Sequence, residues 1–261
     1  MEVWEHHEVT PAAGTRMHAA RMSAARSGPD DAPVVVGIPG LGCSFRSFGP
    51  LARALAPDFQ TIGLDLPGFG RTPGPRTGLD VRGMAEALAD WLRATDRGGA
   101  ILVGDSTGGQ VIVELGVIEP ELLGPAVLSG PVFDADARTV RQQLRRMLRN
   151  FWADRNAGMS LTTIRLRERF ESGLWRWFRT FLRCLHYPLE ERIGQLSVPV
   201  TVVRGEWDPL VPAGWAAELA ARLPQGRLVT APRAGHSANF IRPEVLAREV
   251  TSLAHGRAIT R

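Results

Sequence analysis

No lysine occurs in this chain of 261 residues; all 31 basic side chains are arginine, against 27 carboxylates, for a formal net charge of +4. Arginine does not titrate near pH 10, so using it for every basic position inflates the apparent basicity without making a polycation. With Ala and Gly also abundant, this looks like codon bias in a GC-rich genome. A basic tail, zinc-ligand spacing and any recognised nucleic-acid motif are missing, so no nucleic-acid partner is expected. The two cysteines, Cys43 and Cys184, are too few for a disulfide framework. No stretch approaches the roughly 20 apolar residues of a membrane span. The opening Met-Glu-Val-Trp-Glu-His-His-Glu is charged and lacks the apolar segment of a secretory signal. These absences make a cytoplasmic location without a membrane span the expectation. Internal repeats and low-complexity segments are also absent. No metal-ligand cluster is visible, and Gly40 and Gly42 do not open a Gly-x-Gly-x-x-Gly loop because position 45 is phenylalanine. Neither a metal nor a cofactor is expected.

An apolar fraction of 44% is ample for a buried core, and the length suits one large domain or a core with an insertion. Two alternating stretches, Val3 to Val9 and Thr15 to Met22, predict an antiparallel hairpin. A continuous apolar run at Val34–Ile38 predicts a strand buried on both faces, and further strands are expected at Phe59–Leu64, Ala100–Val103, Ala126–Leu128, Val198–Val203 and Arg227–Val229. Helical patterns fall between them: Phe48–Leu55, Leu79–Ala94 with Met84, Leu88 and Leu92 on one stripe, Gln110–Ile118, Trp215–Leu223 and Val245–Ala254. Alternation of strand and helix predicts an α/β fold with a mostly parallel central sheet flanked by helices. The rhythm breaks from about 132 to 196, where the patterns are helical only. The expected organisation is therefore a core of residues 1–130 and 197–261, with a helical insertion at 131–196. The charge is uneven too: from Pro131 to Gln195 there are 13 arginines and 7 carboxylates. A solvated face explains most such runs; a patch for an acidic carrier protein or a carboxylate substrate is the sharper reading.

One motif dominates the chemistry. Gly104-Asp105-Ser106-Thr107-Gly108 reads Gly-x-Ser-x-Gly, directly after a predicted strand and directly before a predicted helix. That is the setting of a nucleophile elbow, a sharp turn that lifts the serine oxygen off the sheet edge at a helix N-terminus. A serine nucleophile needs a base, an acid to orient the base, and two oxyanion donors. His236, in Gly235-His236-Ser237, lies beyond the last predicted strand and before the last helix, which sets it apart from His6, His7, His18, His186 and His255. Asp208, held before Pro209, follows the strand ending near Val203, with Glu206 as a competitor. The order Ser106, Asp208, His236 is the one this architecture uses. Thr107 N–H is one oxyanion candidate. The loop Pro39-Gly40-Leu41-Gly42-Cys43 offers the other, with Leu41 preferred and Gly42 and Cys43 open. Asp65-Leu66-Pro67-Gly68-Phe69-Gly70-Arg71-Thr72 has no evident acid–base part and reads as a tight loop under the site.

Taken in order, the Pro-Gly-Leu-Gly loop, Asp-Leu-Pro-Gly-Phe-Gly-Arg-Thr, Gly-Asp-Ser-Thr-Gly-Gly, Asp208 and Gly235-His236 resemble the α/β-hydrolase fold family. The likeness is to its single-domain branch of esterases, lactonases and carbon–carbon bond hydrolases, and it covers roughly residues 15–130 and 196–255. It implies Ser106, Asp208 and His236 as a catalytic triad, Leu41 and Thr107 as the oxyanion hole, and residues 131–196 as a helical cap. Two departures are visible. Pro39-Gly40 stands where relatives commonly have His-Gly, and the elbow reads Asp-Ser-Thr instead of the frequent His-Ser-Met or Asn-Ser-Met. Serine at the elbow argues against dehalogenase and epoxide-hydrolase chemistry, which uses a carboxylate there.

The expected activity is hydrolysis of a carboxylic ester, thioester or lactone through an acyl-enzyme. Rival readings are non-hydrolytic chemistry (elimination, cyclisation or acyl transfer), carbon–carbon bond hydrolysis, and a non-catalytic ligand-binding relative. Aromatic and aliphatic side chains in the insertion favour an apolar or aromatic acyl substrate. Pocket candidates are Gly40, Phe151, Trp152, Trp175, Trp177 and Trp207.

Overall fold

The structure, a computed structural model, describes residues 4–22, 32–154, 168 and 171–256. Strands β1 (His6–Ala12) and β2 (Thr15–Met22) form an antiparallel hairpin. Ala13 and Gly14 between them both have positive φ, +53° and +66°. A two-residue turn of that hand fixes the register with Ala12 opposite Thr15. It places the first strand three residues later than the alternation alone suggests.

The remaining strands run parallel: β3 (Val34–Ile38), β4 (Gln60–Leu64), β5 (Ile101–Asp105), β6 (Ala126–Ser129), β7 (Val200–Gly205) and β8 (Gly226–Ala231), in the spatial order β1-β2-β4-β3-β5-β6-β7-β8. β2 joins them antiparallel to β4. Every residue of β4, β5 and β6 is buried, as continuous apolar runs require. Alternate residues feed two cores. Val35, Val103, Val127 and Val203 pack with α1 (Gly49–Leu55) and the C-terminal helix Pro243–Ala254, whereas Val36, Leu102, Leu128 and Val202 pack with α2 (Val81–Ala94) and α3 (Thr107–Ile118). The predicted stripe Met84, Leu88 and Leu92 faces the second core. Asp80 starts α2 by accepting a hydrogen bond from Gly83 N at 2.8 Å.

Between β6 and β7 the described residues form helices and no strand. α4 (Val140–Ala153) begins at a capping box of Thr139 and Gln142. α5 (Leu174–Leu185) and α6 (Leu189–Arg192) follow. Arginines fasten this insertion. Arg176 donates to the carbonyls of Gly68 (2.7 Å), Pro75 (3.1 Å) and Gly74 (3.3 Å). Arg183 donates to those of Gly78 (2.7 Å) and Thr77 (3.2 Å). Arg138 pairs with Glu190, Arg146 with Asp134, and Arg192 with Glu114. Arg141, Arg145 and Arg149 stand exposed on α4; Arg155, Arg165, Arg167 and Arg169 lie outside the described residues. No described helix is long and apolar enough to cross a membrane.

Candidate active site

Parallel strands deliver their loops to one edge of the sheet. Ser106 follows β5, Asp208 follows β7, His236 follows β8, and Pro39–Cys43 follows β3, so all four lie at carboxyl ends of strands. Ser106 occupies a left-handed conformation, φ +56° and ψ −116°, as the residue before α3. A β-carbon meets steric resistance there, and the surroundings hold it. Ser106 N–H donates to Ser129 O at 2.7 Å, and Gly109 N–H donates to Ser106 O at 3.1 Å. The flanking glycines are demanded by closeness. A β-carbon on Gly104 would stand 2.7 Å from the backbone of Gly108 and Gly109, and one on Gly108 would stand 2.1 Å from Ile38 O.

The three residues singled out from the sequence meet. Ser106 Oγ lies 3.0 Å from His236 Nε2, and His236 Nδ1 lies 2.8 Å from Asp208 Oδ2. Asp208 is buried, and its other oxygen accepts from Leu210 N (2.8 Å) and Val211 N (3.2 Å), which fixes the carboxylate plane. Glu206 is directed elsewhere: it is exposed and accepts from Arg233 N at 2.8 Å. Burial pulls the His236 imidazole down, but the charge and hydrogen bond of Asp208, with the charges of Asp105 and Asp154, outweigh it. The net shift is upward from the ordinary 6.5. Cys184, the buried thiol of α5, is pushed up to about 12 by burial and has no nucleophilic form near neutrality.

Thr107 is the first residue of α3 and is buried beside the serine. N–H groups in a first helical turn have no partner within the helix and point toward the site. In the opposite loop, Cys43 N–H donates to Gly40 O at 3.0 Å across a turn whose third residue, Gly42, has φ +74°. That bond occupies Cys43, and of the three donors left open by the sequence Leu41 and Gly42 remain. Gly40 itself presses on the elbow: a β-carbon there would stand 3.1 Å from Ser106 Cβ.

The other pocket candidates are placed differently. Phe151, Trp152 and Trp175 expose 65%, 70% and 65% of their surface. Trp207 is 38% exposed. Trp177 is half-buried and stacks on Phe181 with ring centres 5.4 Å apart. A shallow cavity of about 250 Å³ lies on α5 between Trp175, Phe178, Arg179, Leu182 and Arg183, apart from the serine, histidine and aspartate.

Several polar residues around these loops were not singled out from the sequence. Asp65 is fully buried and accepts from Phe45 N (2.9 Å) and Arg71 N (2.8 Å), and it pairs with His18 Nδ1 (2.9 Å), so the loop after β4 is a hydrogen-bonded knot. Glu168, buried in the insertion, accepts from Ser44 N–H at 3.0 Å and from the Ser44 hydroxyl; burial moves its carboxyl upward against the pull of those bonds. Asn150 and Asp154, from the end of α4, accept hydrogen bonds from His236 N–H and Ser237 N–H at 3.0 and 3.2 Å. Sequence spacing carries no sign of the pairings of Glu168, Asn150 and Asp154, which join residues 83 to 124 positions apart.

Comparison with known proteins agrees with this architecture. The chain is 26% identical over 242 residues to the 2-(acetamidomethylene)succinate hydrolase of Mesorhizobium japonicum, covering 84% of this chain and 87% of that one. It is 24% identical over 251 residues to the esterase YbfF of Escherichia coli, covering 88% and 96%. Its fold is similar to that of the enol-lactonase of Burkholderia xenovorans, with a TM-score of 0.78 at 18% identity over 95% of this chain and all of the other. A family model described as the alpha/beta hydrolase family matches residues 35–249, which take in the elbow, the aspartate loop and the histidine loop, and the chain belongs to that family.

Proposed function

We propose that this protein is a serine hydrolase that cleaves a carboxylic ester, thioester or lactone of an apolar small molecule through an acyl-enzyme. The observation that carries the proposal is the unbroken line from Ser106 Oγ to His236 (3.0 Å) to Asp208 (2.8 Å) on a strained elbow. His236 takes the Ser106 proton as Oγ attacks the carbonyl carbon. Asp208 holds the imidazole with Nε2 toward the serine and stabilises the imidazolium that forms. Thr107 N–H and a donor from Leu41 or Gly42 receive the developing oxyanion, each worth about 2.7–4 kcal/mol in the transition state. The imidazolium protonates the leaving group; His236 then takes a proton from the water that attacks the acyl-enzyme and returns it to Ser106 Oγ as the acyl–oxygen bond breaks and the acid leaves.

In this reading residues 131–196 are a cap over the site. The names of the relatives, a hydrolase of an acetamidomethylene diacid and an esterase, support carbonyl hydrolysis as the reaction class. Ser106→Ala tests the proposal. Labelling by a fluorophosphonate probe should vanish, and ester turnover should fall by at least about 10⁴-fold. Turnover that survives the substitution would overturn the assignment and favour proton-transfer chemistry by His236 alone.

A further inference from the structure

The histidine loop is held from outside the core. His236 N–H donates to Asn150 Oδ1 at 3.0 Å. Asn150 Nδ2 donates to Asp154 Oδ2 at 2.8 Å. Asp154 in turn accepts from Ser237 N–H at 3.2 Å and from the Ser237 hydroxyl at 2.6 Å. Asn150 lies in the last turn of α4 and Asp154 caps its end, so one helix terminus of the insertion binds the backbone of two successive residues, the first of them the histidine. The approach is close: a β-carbon on Gly235 would stand 2.4 Å from Asp154 Oδ1 and 2.9 Å from the Ala153 backbone. Glycine at 235 is thus needed for the helix end to reach the loop.

We propose that Asn150 and Asp154 are positioning residues that set His236 against Ser106, so that the histidine is in register only when the inserted helix is seated. The reasoning is geometric. Asp208 fixes the ring by its Nδ1 edge, and Trp207 N–H ties the loop at Ala234 O (2.9 Å), two residues before the histidine. The loop follows β8, an edge strand that among the described residues has a strand neighbour on one side only. Asn150 adds a restraint on the histidine itself, because its carbonyl oxygen takes the main-chain N–H of His236. Asn150 is buried and its amide is oriented by Asp154, so it presents oxygen and not nitrogen to the loop. The charged groups facing the imidazole are Asp208, Asp105 and Asp154, and each favours the protonated ring. Asp154 therefore acts twice, through Asn150 on position and through its charge on protonation.

This inference rests on the serine-hydrolase reading, and the test separates the two. Fluorophosphonate labelling of Ser106 requires an activated serine but no knowledge of the substrate, so its rate is measured against pH for the wild type and four variants. Asn150→Ala should slow labelling roughly 10-fold or more, since misplacement of reacting groups by about 1 Å costs up to 10²-fold. Asp154→Asn should slow it less and should move the acid limb of the profile to lower pH. Asn150→Asp alone, which sets two carboxylates side by side, should slow labelling. The exchange Asn150→Asp with Asp154→Asn keeps the acceptor for His236 N–H, reverses the 150–154 bond and turns the Ser237 hydroxyl from donor to acceptor, and it should restore the rate. Circular dichroism melting checks that each variant is folded. If Asn150→Ala fails to fold, Asp154→Asn and the exchange pair still decide the matter through the pH profile and the rescue. Labelling of all folded variants at the wild-type rate and pH profile would overturn the positioning inference while leaving the nucleophile intact. A wild type that does not label at Ser106 would overturn the serine-hydrolase reading itself.

Discussion

At the scale of single residues, the pair His236–Asp208 sets the pH behaviour. The imidazole is raised above 6.5, and in the proposed mechanism it must be neutral to accept the serine proton. The acid limb of kcat/KM should therefore lie above that value, and a limb at or below it would show that the histidine does not titrate in the free enzyme as argued. Stability follows with the opposite sense. A proton held more tightly in the folded state stabilises the fold fully below the unfolded value and ceases to do so as pH rises through the folded one. Asp208→Asn should thus cost more stability at pH 5 than at pH 9, measured by urea unfolding at each pH. The same variant should lower kcat by about 10⁴-fold by releasing the ring from its orientation. Ser106 and Asp208 could be named from the sequence because each follows a largely buried strand, and His236 because it lies in the loop after the last strand, in the chain order Ser106, Asp208, His236. Asn150 and Asp154 could not, because no local pattern distinguishes a helix-terminal asparagine that meets a loop from one that meets water. Asp208 is the acid that the sequence favours, with Glu206, two positions before it, as a competitor. Only the fold shows that the first turns inward under His236 while the second reaches out to Arg233 N.

At the scale of elements, the elbow is where backbone and packing are most tightly bound together. β5 enters and α3 leaves within one residue, and the turn presses on the Ile38 carbonyl of β3, leaving no room for a β-carbon at 108. Gly108→Ala should destabilise the protein by about 3 kcal/mol as an overpacking change that backbone cannot absorb. A urea midpoint that falls with an unchanged m-value would confirm this, and an unchanged midpoint would mean that the elbow yields more easily than its contacts suggest. The inner elements were readable because β3 to β7 are largely buried and write mostly apolar runs, with β3 at the very residues expected. The hairpin was displaced by three residues at its start because alternation marks a strand's face and not its ends. The turn at Ala13 and Gly14 sets those ends.

For the molecule as a whole, the helical stretch between β6 and β7 was visible in the sequence as a loss of rhythm and an excess of arginine. Its helices could be expected, but its seat on the core could not, because that seat consists of side chains meeting carbonyls far away in the chain. Three arginines tie it to the core, Arg176, Arg183 and Arg192. Arg176 alone spans three carbonyls of the loop from Gly68 to Pro75, a reach that depends on the planar fork of a guanidinium. Arg176→Ala should cost about 2 kcal/mol, and Arg176→Lys should recover only part of it, in thermal melts followed by circular dichroism. Equal melting temperatures for all three proteins would show that the fork contributes nothing to seating the insertion.

The bond from Asn150 to the main chain of His236 also bears on how such proteins can be recombined. A helical segment threaded between two strands invites exchange between relatives, as a way to graft one enzyme's selectivity onto another. Here the segment and the histidine loop are two halves of one joint. A chimaera that receives a foreign insertion without an acceptor at 150 and a partner at 154 should bind its new ligand and react slowly. Carrying those two side chains along, with glycine kept at 235, is the condition for the graft to work.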